Sequence, residues 1–272
     1  MIFTNPSQSR ESILILEWGK HSLSFSVFHE KDNRVLATVV LPTFYKLFDF
    51  TKQEFARLIK EVEIFSYSYQ KIICLVDSEF LTLVPEKLLG ANAIEDYLQF
   101  NCKLPSGKLF YQKEKLLSTE YYAIYALPLS LKEALEESFH KVHFTYTNLS
   151  LLNSFSRLSQ LESFFSFHLN TERITIFYYK DNKLLFFNSF EYLTDEDIVY
   201  HLLNVMQQLS LDNERELVYF SGSLELNSNR EALIKSYIKY LKVLERTNKL
   251  NYQTDVVAIP SHYFVHHYMN CI

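Results

Sequence analysis

Three histidines close together in the sequence, His262, His266 and His267, could hold a metal ion. Imidazole nitrogen is a common zinc ligand, and residues four apart lie on the same side of a helix. His262 and His266 would therefore converge if the segment from Ser261 to Ile272 is helical. No Asp or Glu lies nearby in the sequence to complete a ligand set. We interpret the group as a surface or terminal histidine cluster and predict no metal site.

Nucleophilic catalysis is not indicated by any local motif. The sequence contains no Gly-x-Ser-x-Gly turn of the kind that exposes a catalytic serine. Its three cysteines, Cys74, Cys102 and Cys271, are far apart and form no Cys-x-x-Cys pair, so they indicate neither a disulfide framework nor structural zinc. A Ser/Cys-His-Asp site assembled from distant residues stays an open alternative.

Any such site must be positioned by the strands and helices that the sequence pattern predicts. Strands are predicted over Ser12 to Glu17, Ser22 to Phe28 and Arg34 to Leu41, with short turns between them. The residues Thr51-Lys52-Gln53-Glu54 form a capping box that begins a helix. The apolar run from Lys71 to Val76 is typical of a strand covered on both faces.

The same order of elements recurs in the second half of the sequence. Arg173 to Tyr179 and Lys183 to Tyr192 are predicted strands joined by a Lys-Asp-Asn turn like that of the first half. Thr194 to Asp197 caps a helix, Leu217 to Phe220 is an apolar strand, and Ser228 begins a helix that continues to Leu244. The repeated order predicts an internal duplication.

The segment between the two copies adds further elements. Asn92 to Asn101 is predicted to be a short helix, and Lys108 to Leu117 pairs with Glu120 to Leu127 as a hairpin. Ser150 to Phe165 is predicted to be a helix that crosses to the second copy, and Asp255 to Ile259 to be the last strand.

A duplicated three-strand meander followed by helix, strand and helix resembles the actin-like, ribonuclease H-like fold. The sequence is similar to bacterial pilus-assembly and cell-division actin-like proteins, and as a whole it resembles a Bacteroidetes family of unknown function. Leu83 to Glu86, Tyr97 to Asn101 and Tyr121 to Leu127 resemble the inserted subdomain of the pilus-assembly branch.

The resemblance implies an α/β protein with two lobes. Residues 1–150 would form the first actin-like lobe, with an inserted α+β subdomain at about 85–128, and residues 151–272 would form the second. It also implies three loops that contact ATP. The first phosphate loop falls on Glu17 and Gly19, the second on His168 and Asn170, and the adenosine turn on Gly222.

These loops depart from what ATP binding requires. Phosphates need glycine-rich turns whose backbone amides can approach closely, and magnesium needs an acid. Glu17 is one methylene longer than the aspartate it replaces, His168 replaces a carboxylate, and Asn170 brings a side chain to the place of the phosphate. We therefore predict that nucleotide hydrolysis is lost and expect no cofactor, with ATP and magnesium as the alternative.

Composition narrows the classes of partner. The formal net charge is -5 with both signs scattered along the chain, which argues against nucleic-acid binding. Met1 to Arg10 has no secretory-signal pattern, and no apolar run is long enough to span a bilayer. The cytoplasm is therefore the expected compartment.

Two function classes and a third alternative follow. The first is a catalytically silent actin-like scaffold or protein-interaction module that holds an unidentified protein partner. The second is a divergent ATP-binding protein that retains Glu17, Gly19 and Gly222 as contacts. A protomer that polymerises head to tail is the third alternative. The sequence does not define the oligomeric state.

Overall fold

The computed structural model describes residues 6–19, 22–42, 47–49, 51–90, 94–117, 119–158 and 163–271. The chain divides into two compact units, and the division falls within one helix. Unit 1 comprises Met1–Leu151, Asn248–Ala258 and His266–Ile272, and unit 2 comprises Leu152–Thr247 and Ile259–Val265.

The first part of the chain alternates strands and helices. In order, the elements are α1 (Pro6–Arg10), β1 (Ser12–Trp18), β2 (Ser22–His29), β3 (Arg34–Pro42), α2 (Lys52–Glu61), β4 (Lys71–Val76), β5 (Leu81–Pro85), α3 (Ile94–Asn101), β6 (Leu109–Lys115), β7 (Tyr121–Pro128), α4 (Leu129–Ser138), β8 (Val142–Tyr146) and α5 (Thr147–Leu158). Short 3-10 turns lie at Leu47–Asp49, Glu63–Ser66 and Glu86–Leu88.

The remaining elements continue this numbering. They are β9 (Ser163–Leu169), β10 (Arg173–Lys180), β11 (Lys183–Glu191), α6 (Asp195–Gln208), β12 (Leu217–Gly222), α7 (Asn229–Tyr237), β13 (Tyr240–Val243), β14 (Asn251–Tyr252), α8 (Thr254–Val257) and α9 (Val265–Met269). Among the described residues, no helix has the length and apolar composition that crossing a membrane requires.

The main sheets of the two units share one strand order. In unit 1 the order is β14-β3-β2-β1-β4-β8, and in unit 2 it is β11-β10-β9-β12-β13. In both sheets the first three sequential strands form an antiparallel meander, and a fourth strand pairs in parallel with the first strand of that meander. A fifth strand pairs in parallel with the fourth. A separate sheet, β5-β7-β6, packs with α3 around Val84, Leu98, Ile124 and Ala126.

Local sequence signals account for several of these elements. Thr51 and Thr194 each form the predicted capping box. Each side chain accepts a hydrogen bond from the amide of the third residue of its helix, and that residue's carboxylate accepts one from the threonine amide. β4 is buried from Ile72 to Val76, as its continuous apolar run predicted. The three strands predicted for the first meander and the two predicted for the second are confirmed.

Three predicted elements of the second half are wrong. The helix predicted over Ser150 to Phe165 ends at Leu158, because β9 begins at Ser163 and pairs with both β10 and β12. α7 ends at Tyr237 instead of continuing to Leu244, since the chain turns back as β13 beside β12. The strand predicted over Asp255 to Ile259 is replaced by helix α8.

The boundaries of the units also differ from the predicted ranges. Residues 248–258 and 266–272 were assigned to the second lobe, but they lie in unit 1. The physical reason for the first segment is that β14 adds in parallel to the edge of the unit 1 sheet at β3. The three-stranded sheet begins at Leu81, before the predicted start of the inserted subdomain at about 85.

Candidate functional site

The carboxylate of Glu17 is the centre of a buried polar cluster in unit 1. Glu17 lies near the end of β1, and its Oε2 accepts a hydrogen bond of 3.0 Å from Ser24 on β2. Its Oε1 accepts one of 2.9 Å from Thr147, the first residue of α5. Nε2 of His266 lies 2.9 Å from Oε1, and Nε2 of His267 lies 3.2 Å from Oε2. Each carboxylate oxygen therefore has two polar neighbours.

Helix α9 supplies both histidines. The side chain of His267 has no exposed surface, and that of His266 is 3 % exposed. The helix is held in place by its backbone, because Ser150 Oγ and Asn270 Nδ2 donate to the carbonyl oxygen of His266 at 3.3 and 2.7 Å. The short helix thus presents two adjacent imidazoles to one carboxylate.

A second row of hydrogen bonds extends from His267 into the sheet. Its Nδ1 lies 2.9 Å from Ser26 Oγ, which lies 2.9 Å from Thr38 Oγ1, and Thr38 lies 3.2 Å from the hydroxyl of Tyr268. Serine, histidine and carboxylate here follow the order of a hydrolytic triad. Ser26 has no exposed surface, however, so no substrate reaches its hydroxyl in this conformation.

The cluster shifts the protonation of its members. Burial alone would raise the pKa of Glu17, but the charge and hydrogen bond of His266, with those of His267, lower this pKa well below its usual value. Burial lowers the pKa of His267, and its hydrogen bond to Glu17 offsets only part of that effect. The lowered pKa of Glu17 keeps its carboxylate ionised near neutral pH.

The cluster brings together donors that could hold a metal ion. One ligand atom from each of Glu17, His266 and His267 lies within 4.8 Å of the others. The predicted surface position of these histidines is wrong, because His266 and His267 are buried. Their neighbour Glu17 has no local signal, since it lies 250 positions from His267 in the sequence. His262 does not lie on the same helix as His266, because α9 begins only at Val265. Its Nε2 instead lies 2.7 Å from the carbonyl oxygen of Leu224.

The first predicted phosphate loop is a tight hairpin at the end of β1. The amide of Gly19 donates to Ser22 O at 2.9 Å. A β-carbon at Gly19 would lie 3.1 Å from Ser22 Oγ, so the turn is closely packed. The two residues between them lie outside the described part of the chain.

The second predicted phosphate loop is closed by its own asparagine. Oδ1 of Asn170 accepts hydrogen bonds from the amides of Glu172 and Arg173 at 3.1 and 2.7 Å. The amide of Asn170 donates to Arg173 O at 3.0 Å. Three amides of this loop are thus committed within the loop. His168 lies on β9, where its Nδ1 is 2.9 Å from Ser221 Oγ.

The predicted adenosine turn is packed against the end of β9. Gly222 has a φ of +90°, and its amide donates to His262 O at 2.8 Å. A β-carbon at Gly222 would lie 2.0 Å from the carbonyl oxygen of Leu169. The glycine is required by this close approach of β12 to β9, whether or not a ligand binds there.

Most of this chain matches one known protein family. The family described as Protein of unknown function (DUF3822) matches residues 4–241. The chain belongs to this family. A comparison with curated proteins finds no match for the DUF3822 chain.

Solved structures similar to the DUF3822 chain show its fold. A Bacteroides thetaiotaomicron protein with an actin-like ATPase fold and unknown function is 21% identical, with a TM-score of 0.73, over 92% of this chain and 95% of that one. PilM, in a PilM–PilN type IV pilus biogenesis complex, is 14% identical, with a TM-score of 0.58, over 96% and 98%.

A third neighbour is the ethanolamine utilization protein EutJ from Carboxydothermus hydrogenoformans. It is 6% identical, with a TM-score of 0.50, over 96% of this chain and 88% of that one. Together with the shared strand order of the two sheets, these neighbours show that the DUF3822 chain has the predicted actin-like, ribonuclease H-like α/β fold.

Proposed function

We propose that this DUF3822 member is an actin-like scaffold that holds a protein partner and neither binds nor hydrolyses nucleotide. The observation that carries the proposal is the self-closed loop at Asn170. A phosphate is bound by backbone amides that point at it, whereas here the amides of Glu172 and Arg173 already donate to Asn170 Oδ1.

The other predicted nucleotide contacts support the same conclusion. Magnesium prefers oxygen ligands and keeps several of its waters. The Glu17 carboxylate instead has Ser24, Thr147 and two imidazoles around it. The amide of Gly222 donates to the protein itself. These residues do not fit ATP with magnesium.

Protein binding is supported by the fold neighbours and by exposed apolar residues. PilM has this fold and is seen in a complex with another protein, PilN. Phe100 lies on α3, the helix that packs on the three-stranded sheet, and its side chain is 90% exposed. Leu88, which precedes this helix, is 61% exposed. Large exposed apolar side chains of this kind are enriched where proteins bind each other.

Calorimetric titration with ATP and magnesium, repeated with ADP, tests the first half of the proposal. We expect no heat of binding at millimolar nucleotide. Micromolar binding would overturn the proposal, and its loss in Glu17→Ala would then identify the divergent ATP-binding alternative. Binding that survives Glu17→Ala would place the nucleotide elsewhere and would equally overturn the proposal.

Affinity capture from the source cells, with chemical cross-linking, tests the second half. We expect a recurrent partner whose recovery falls in Phe100→Ser. The matched control is Leu193→Ser, which removes an equally exposed apolar side chain, 95% exposed, from unit 2. A monomeric protein that recovers no partner, or equal loss in both variants, would contradict the proposed surface.

A further inference from the structure

We propose that Glu17, His266 and His267 bind a divalent transition-metal ion of the zinc type. Two imidazoles and one carboxylate are a recurrent protein ligand set for zinc. Glu17 Oε1 lies 2.9 Å from His266 Nε2, Glu17 Oε2 lies 3.2 Å from His267 Nε2, and one ligand atom from each residue lies within 4.8 Å of the others. Ligands about 2.0–2.1 Å from a tetrahedral ion are roughly 3.3 Å from each other, so small side-chain movements suffice.

The groups around Glu17 and His267 match the outer shell of a metal site. Metal-binding histidines usually use their second ring nitrogen in a hydrogen bond that fixes the ring. Nδ1 of His267 makes such a contact with Ser26 Oγ at 2.9 Å, and this contact directs Nε2 toward the carboxylate. Ser24 and Thr147 hydrogen-bond to Glu17 and fix its orientation.

The chemistry of the donors selects the class of ion. Two nitrogen donors favour zinc, nickel, copper or cobalt over magnesium and calcium, which prefer sites made only of oxygen. The histidine side chains are almost fully buried, while 15% of the Glu17 side chain remains exposed and gives an ion a route of entry. Three protein ligands leave a coordination position for water.

The competing explanation is a metal-free polar lock. In that case the same contacts hold α9 on β1 by hydrogen bonds alone. The two explanations differ in a direct way, because only a metal site binds one ion per chain with an affinity that depends on both imidazoles.

The experiment uses the full chain, stripped with EDTA and dialysed. Zinc chloride is titrated calorimetrically, and cobalt(II) is added separately to read its visible absorption, which reports the donor set and geometry. We expect one ion per chain, cobalt bands typical of mixed nitrogen and oxygen donors, and a rise in melting temperature with zinc. None of these three measurements involves nucleotide, so the absence of metal binding is distinguishable from failure of the proposed function.

Variants separate the site from general damage. His266→Asn, His267→Asn and Glu17→Gln should each abolish the cobalt spectrum. Ser26→Ala removes the hydroxyl that contacts His267 and Thr38 but leaves all three ligands in place. It should weaken zinc binding by ~10-fold or more, with the fold retained by circular dichroism. His29→Asn is the matched control, because His29 is also buried on β2 and lies 3.0 Å from Asp32 and 3.4 Å from Glu11.

The outcomes are unambiguous. Stoichiometric binding that His29→Asn keeps and Ser26→Ala weakens supports the site. A folded wild-type chain that binds no zinc or cobalt overturns it, as does binding that all the folded cluster variants retain, since the ion would then be held elsewhere.

Discussion

Oε2 of Glu17 on β1 lies 3.2 Å from Nε2 of His267 on α9, although the two residues are 250 positions apart in the sequence. The contact joins the first strand of unit 1 to its last helix. Because the carboxylate is buried and has two imidazoles and two hydroxyls around it, this packing depends on polar groups as well as on apolar contacts.

Glu17→Gln should therefore be strongly destabilising even without metal. Removing one partner of a buried charged cluster leaves the others uncompensated, and we expect a loss of about 3 kcal/mol in the free energy of unfolding. The measurement is urea denaturation in EDTA. Glu11→Gln is the control, because Glu11 is 55% exposed beside His29 and should cost less than about 1 kcal/mol. Equal losses in the two variants would contradict the central role of Glu17.

Asn170→Ala should destabilise the β9–β10 hairpin by about 2 kcal/mol, because the amides of Glu172 and Arg173 lose their shared acceptor. Asn170→Asp retains an oxygen in the same place and should stay near the wild-type stability. Chemical denaturation of both variants shows whether the loss of stability comes from the missing hydrogen-bond acceptor or from the rest of the side chain. An Asn170→Ala variant as stable as the wild type would show that water replaces the side-chain oxygen. That result would contradict a loop closed by Asn170.

Gly222→Ala should cost at least about 3 kcal/mol, since the new methyl group would overlap Leu169 O at 2.0 Å in a backbone with positive φ. Gly107→Ala is a control for the backbone alone. Gly107 also has a positive φ, of +126°, but its added β-carbon meets nothing within 4 Å, so we expect a cost of about 1 kcal/mol. Denaturant midpoints give both values. Similar losses of stability at the two sites would mean that β9 and β12 are not in close contact at Gly222.

The stability of the protein should fall as the pH drops below about 6.5, and His262 should contribute to this fall. Burial lowers the pKa of His262 from its ordinary value of 6.5, and the hydrogen bond to Leu224 and the charge of Glu231 offset this only in part. The folded chain then stays neutral at His262 while the unfolded chain takes up a proton. The unfolded state binds more protons, so stability is lost with falling pH until the folded pKa is reached.

His262→Gln keeps an N–H donor for Leu224 and removes the titration. Between pH 7.5 and 5.5, the free energy of unfolding of this variant should depend less on pH than that of the wild type. Coincident slopes for wild type and His262→Gln would show that other groups, such as His143 and His267, account for the whole effect.

Much of the fold could be predicted from the sequence because its signals are local. The capping boxes at Thr51 and Thr194 involve residues three positions apart, and the apolar run of β4 shows that both of its faces are covered. The end of α7 at Tyr237 could not be predicted in this way, since helical periodicity continues to Leu244. Pairing of β13 with β12 overrides that periodicity.

The sequence by itself determined the strands and capped helix of the first meander and the absence of glycine and acid from the second predicted phosphate loop. These properties depend on residue types and on neighbours a few positions away. Only the tertiary structure decided that Glu17 faces His266 and His267, and that Asn170 closes its own loop. The cluster depends on which strand and helix pack together, and that packing is set by the burial of apolar residues from the whole of unit 1 rather than by the sequence around any one member.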